Sequence, residues 1–155
     1  MWKEKIRMQR KYFESLSLFI ERYYIETFVF ESLIFVLLFP SLRQLGLLIF
    51  SLASVTIISE GIKILVREKR PRTAMERRYF RNGPTINKRS FPSTHSAVSM
   101  VFVGLLMGNY LAIPFFIFAL IIMYSRLYLR SHYLRDIIAG GALGFVVGYA
   151  AMTLI

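Results

Sequence analysis

The sequence predicts an all-α protein: an integral-membrane bundle of about five transmembrane helices, preceded by an N-terminal amphipathic helix lying in the membrane interface. Three observations predict it. Of the 155 residues, 55% are hydrophobic, and the mean hydropathy is +0.51. The apolar residues come in long blocks rather than at amphipathic spacing. The basic residues crowd between those blocks and give a net charge of +11. A bilayer core takes ~20 apolar residues as helix, so this length holds about five crossings and one domain, residues 1–155.

Residues 1–24 carry Trp2, Ile6, Phe13, Leu16, Ile20 and Tyr23 at near-helical spacing, with charges on most other faces. That is the interfacial helix. A first span follows from about Ile25 to Phe39 and stops at Pro40, which cannot continue a helix. Its Glu31 is expected to face other helices or the interface. A second span covers about Leu45 to Val66. Residues 67–91 form a basic loop with nine Lys or Arg against two Glu. A short helix is expected there around Thr73–Phe80, and Asn82-Gly83-Pro84 reads as a turn. The third span runs from Pro92 to Gly108-Asn109, the fourth from about Leu111 to Leu127, and the fifth from about Tyr133 to the C-terminus. Gly140, Gly144 and Gly148 recur at four-residue spacing in the fifth span, the pattern that lets helix backbones approach closely. No cleavable signal peptide is expected, because residues 1–14 are charged and no small-residue cleavage site follows a short apolar core.

Five spans put the loops after the second and fourth on one side, and the chemically capable residues collect there. Lys63 and Arg70 are two helical turns apart and can look in one direction. Pro92-Ser93-Thr94 opens the third span, whose free amides and Ser93 hydroxyl offer an anion seat. His95 lies in that first turn. Ser125 and Arg126 close the fourth span, and His132 and Asp136 begin the fifth. At helical spacing of four, the carboxylate can reach the imidazole, fix its tautomer and leave the other nitrogen free to attack. Three cations and a helix N-terminus would neutralise phosphoryl oxygens without a metal. One histidine would act as nucleophile and the other as acid for the leaving oxygen. Glu60, one turn before Lys63, reads as its local ion-pair partner rather than as a base.

The spacings carry a resemblance. Lys63 to Pro71, "KILVREKRP", fits K-x6-R-P; Pro92 to His95, "PSTH", fits P-S-G-H but for one position; Ser125 to Asp136, "SRLYLRSHYLRD", fits S-R-x5-H-x3-D. The chain resembles the type 2 phosphatidic acid phosphatase family, membrane lipid phosphatases related to vanadium haloperoxidases, though with fewer helices than its common six-span members. The resemblance implies that His132 attacks phosphorus to form a phosphohistidine, that Asp136 orients it, and that His95 protonates the leaving group and then activates water. It assigns Lys63, Arg70, Ser93 and Arg126 to the phosphate oxygens, assisted by the amides of Thr94 and His95. Thr94 stands where the family usually has glycine. A threonine cannot easily take a positive φ, so this turn must use ordinary dihedrals and leaves less clearance over the phosphate.

The absence of cysteine excludes disulfides, thiolate metal sites and cysteine nucleophiles. No resident metal or cofactor is expected, and nucleic acid is not an expected partner because the basic residues lie at membrane ends. The expected partners are the bilayer and a membrane lipid phosphate. A two-histidine haem protein would not need Lys63, Arg70 and Arg126 on one face, and a non-catalytic adaptor binding anionic lipid would not need His132. Arg130, Arg135 and the remaining loop cations are expected to be solvated or to touch head groups. The surplus of cations in the loop suits a head group with more than one phosphate: lipid A at its 1-phosphate, undecaprenyl diphosphate or phosphatidylglycerol phosphate. Positive charge at residues 1–11 and 67–91 favours the cytoplasm for that face, but catalytic arginines inflate the count. The expected location is the inner membrane with the site on its outer, periplasmic face.

Overall fold

A computed structural model describes residues 2–71 and 89–154. Among them are six helices: α1 (Trp2–Arg22), α2 (Tyr24–Leu38), α3 (Leu42–Val66), α4 (Thr94–Leu105), α5 (Ala112–Tyr128) and α6 (Leu134–Leu154). The fold is all-α. The short helix expected around Thr73–Phe80 and the turn at Asn82-Gly83-Pro84 lie outside the described residues.

The breaks follow local chemistry. Tyr23 leaves helical geometry between α1 and α2, close to the expected boundary. Ahead of α3, Pro40 halts the chain and Ser41 caps the next helix, its hydroxyl accepting from the Gln44 amide at 3.1 Å. At the far end Arg67 takes the left-handed conformation, φ 52°, and its amide donates to the Lys63 carbonyl. Beyond it, Lys69 bridges to Arg89 and the Ser90 amide donates to Glu68 O at 2.7 Å, so the two ends of the basic loop are tied together.

Two helices, α3 and residues 134–153 of α6, are long and apolar enough to cross a membrane. Of the remaining spans, α2 with 15 residues and α5 with 17 match the lengths expected of the first and fourth, whereas α4, with 12, is shorter than expected. At 1.5 Å per residue, α4 spans ~18 Å of a ~30 Å hydrocarbon layer. It is the central helix, packed against α3, α5, α6 and α2, with Ala97, Val101 and Phe102 fully buried. Its apolar run therefore reports burial inside protein rather than contact with lipid.

The close approach expected of the fifth span is present. A Cβ at Gly140, Gly144 or Gly148 would overlap the carbonyl oxygens of Ser93, Ala97 and Val101 respectively. Here α6 lies directly on the α4 backbone. The N-terminal helix also docks on the bundle instead of using its whole apolar face at an interface: Phe13 meets Tyr124 edge-on at 4.8 Å, and the Tyr128 hydroxyl donates to Arg10 O at 3.3 Å. Met8, Tyr12 and Phe19 remain exposed. Glu31 is buried on α2 beside Phe35, facing the helices as expected.

Candidate active site

Lys63, in the last turn of α3, reaches the first residue of α4. Its Nζ donates to Glu60 Oε1 at 2.6 Å and to Thr94 Oγ1, and Thr94 Oγ1 donates to Glu60 Oε1 at 3.2 Å. Glu60 is thus the local ion-pair partner expected of it. Thr94 opens the helix without a positive φ, so the residue standing for glycine is accommodated by ordinary dihedrals, with its hydroxyl turned to Lys63. Ser93 caps α4. Its hydroxyl accepts from the Ser96 amide at 3.4 Å and the Ser96 hydroxyl at 3.0 Å, while its own amide donates to Asp136 O at 3.0 Å. That last bond joins the α4 turn to the start of α6.

His132 lies just ahead of α6 and is almost fully buried. Its Nδ1 stands 2.9 Å from Ser90 O. A carbonyl can only accept, so Nδ1 carries the proton and Nε2 presents a lone pair. Asp136 does not supply this bond. Its Oδ2 is 3.7 Å from Nδ1, beyond hydrogen-bond reach, and instead accepts from the Ser90 hydroxyl and from the Tyr133 amide at 2.9 Å. The expected direct bond assumed helical geometry across both residues, whereas α6 begins only at Leu134. Ser90 intervenes, touching His132 through its carbonyl and Asp136 through its hydroxyl. Nothing in the sequence pattern singled it out.

Burial holds the His132 imidazole well below its ordinary range, with the charges of Arg70, His95 and Lys63 adding to the effect and the bond to Ser90 opposing it. The ring is therefore neutral when folded. An unfolded chain would take up a proton below its ordinary value near 6.5, so this group lowers stability as pH falls beneath that value. In the His95→Gln variant, nitrogen-resolved NMR of labelled histidine should show one ring held as the Nδ1–H tautomer from pH 7 to pH 5. A ring titrating near 6.5 would contradict the buried geometry.

The cations divide into two groups. Lys63 and Arg70 both act on His132 through charge, and Arg70 Nε donates to Arg89 O at 3.4 Å. Arg126 is buried at the end of α5 and pairs with Glu21 of α1, a partner the sequence did not reveal. A buried guanidinium needs a counter-charge, and Glu21 supplies it. Arg126 Nε also donates to Ser125 Oγ at 3.2 Å, and Nη2 is buried with no hydrogen-bond partner among the described residues. Arg135, expected to be solvated or to touch head groups, is 66% exposed and also ion-paired with Glu68. His95 Nε2 is buried without a hydrogen-bond partner among the described residues. The His95 ring packs against Tyr24 and Phe28 of α2, at centroid distances of 4.8 and 6.2 Å. No group of three or more metal-ligating side chains occurs among the described residues.

A buried histidine and carboxylate, a second, partly buried histidine, nearby cations and a helix N-terminus on an all-α frame make a candidate phosphoryl-transfer site. A family model described as the PAP2 superfamily matches residues 44–155, well over half of the chain, and the chain belongs to that superfamily, as the motif spacings led us to expect. Its members are phosphatases, and this protein is a phosphoric ester hydrolase. Comparison with curated proteins and with solved structures gave no match. The family match begins within α3, so Glu21, Tyr24 and Phe28 lie outside it.

Proposed function

We propose that the protein is an integral-membrane lipid phosphatase that hydrolyses a lipid phosphomonoester or diphosphate through a phosphohistidine, with no divalent metal. The observation that carries this reading is the neutral His132, its Nδ1–H held by Ser90, beside Lys63, Arg70 and the α4 N-terminus. In the first step Nε2 of His132 forms a bond to phosphorus as the bond to the leaving oxygen breaks, and His95 gives that oxygen a proton. In the second step water, losing its proton to His95, attacks phosphorus and displaces His132. Lys63, Arg70 and Arg126 Nη2, with Ser93 and the Thr94 and His95 amides, spread the charge of the phosphoryl oxygens. Asp136 stabilises the charged ring from 3.7 Å.

The bilayer partner is supported by the two long apolar helices and by a broad exposed apolar surface, Ile57, Leu65 and Val146 among it. The substrates that suit a strongly basic loop are lipid A at its 1-phosphate, undecaprenyl diphosphate and phosphatidylglycerol phosphate, met at the periplasmic face of the inner membrane. Detergent-purified protein should release phosphate from at least one lipid of a panel holding these three and phosphatidate, at an undiminished rate in EDTA. No release from any panel lipid, or activity lost to EDTA and restored by magnesium, would overturn the reading.

A further inference from the structure

Two N-terminal contacts meet the site from outside the matched region, and both come from the break between α1 and α2. Glu21 takes Arg126. Three residues on, Tyr24 lies against His95 with its ring at 4.8 Å and 50°. Phe28, one turn further, stands 6.1 Å from Tyr24 in edge-on contact and 6.2 Å from His95. Tyr24 is 43% exposed, so one side of the ring covers the imidazole and the rest is open. From there α2 continues as an exposed apolar strip through Ile25, Val29 and Leu33.

We propose that Tyr24 and Phe28 form the leaving-group wall of the site and select esters whose leaving alcohol carries an apolar chain. This rests on the lipid phosphatase reading above, in which the leaving oxygen departs beside His95. Whatever is bonded to that oxygen must then pass the aromatic pair, and a chain laid along α2 meets a continuous apolar surface. A chainless ester gains nothing from it. Burying one such contact is worth about 1.5 kcal/mol or more, roughly a tenfold preference.

The test compares the panel lipid that wild type turns over fastest with glycerol 3-phosphate, which presents an alkoxide leaving group without the chains. The ratio of their kcat/KM values should fall about tenfold in Tyr24→Ala and stay near wild type in Tyr24→Phe, which keeps the ring. Since Tyr24 is half exposed, both variants should fold, and circular dichroism in detergent checks this. An unchanged ratio in Tyr24→Ala, whether both activities fall or neither does, overturns the wall while leaving the phosphatase intact. A wild-type protein inactive on every panel lipid removes the underlying reading instead.

Discussion

Replacing His132 with alanine should abolish the phosphoenzyme altogether. Rapid quenching with radiolabelled lipid phosphate should trap label on the wild-type protein and none on the variant. The expectation follows from geometry: Ser90 fixes the proton on Nδ1 of His132, which leaves the lone pair of that ring on Nε2, free to attack. The companion His95→Ala variant should differ in kind. It should slow both formation and breakdown of the intermediate, and a phenol of low pKa should relieve much of the first defect because it departs with little need of a proton. Label persisting on the His132 variant would remove it from the role of nucleophile.

Asp136→Asn should lower kcat by on the order of 10²-fold or more, the loss expected when a preorganised charge beside the reacting group is removed. The amide oxygen can still accept from the Ser90 hydroxyl and the Tyr133 amide, the two bonds that Oδ2 accepts here. The variant should therefore keep its thermal midpoint. What it loses is a negative charge 3.7 Å from a ring that must become positive as its Nε2 bonds to phosphorus. Full activity in a well-folded Asp136→Asn protein would show that the carboxylate only braces the loop.

Much of this site was legible because its residues sit at helix ends, where spacing translates directly into position. Lys63 with Glu60, the Ser93 cap and the glycine ridge of α6 each follow from local geometry of one or two helices. Reading failed where a contact depends on how distant segments dock. Glu21 meets Arg126 only because α1 lies on α5, and Ser90 reaches both His132 and Asp136 only because the ends of the basic loop are tied together. The length of α4 was hidden for a different reason. Its apolar run continues through Leu106 and Met107 after the helix has ended, and composition alone does not distinguish a helix wrapped in protein from one wrapped in lipid.

The backbone contact between α4 and α6 gives the proposed enzyme a gauge block. Side chains can change rotamer or be exchanged for others of similar size, whereas a carbonyl ridge resting on Gly140, Gly144 and Gly148 has a single thickness. The turn bearing His95 and the segment bearing His132 are held apart by that thickness. In the membrane setting proposed above, exposed positions such as Ile57, Leu65 and Val146 are free to be rewritten for a colder or thicker bilayer without retuning the reaction. Drift should accumulate on that outer surface and stall at the three glycines.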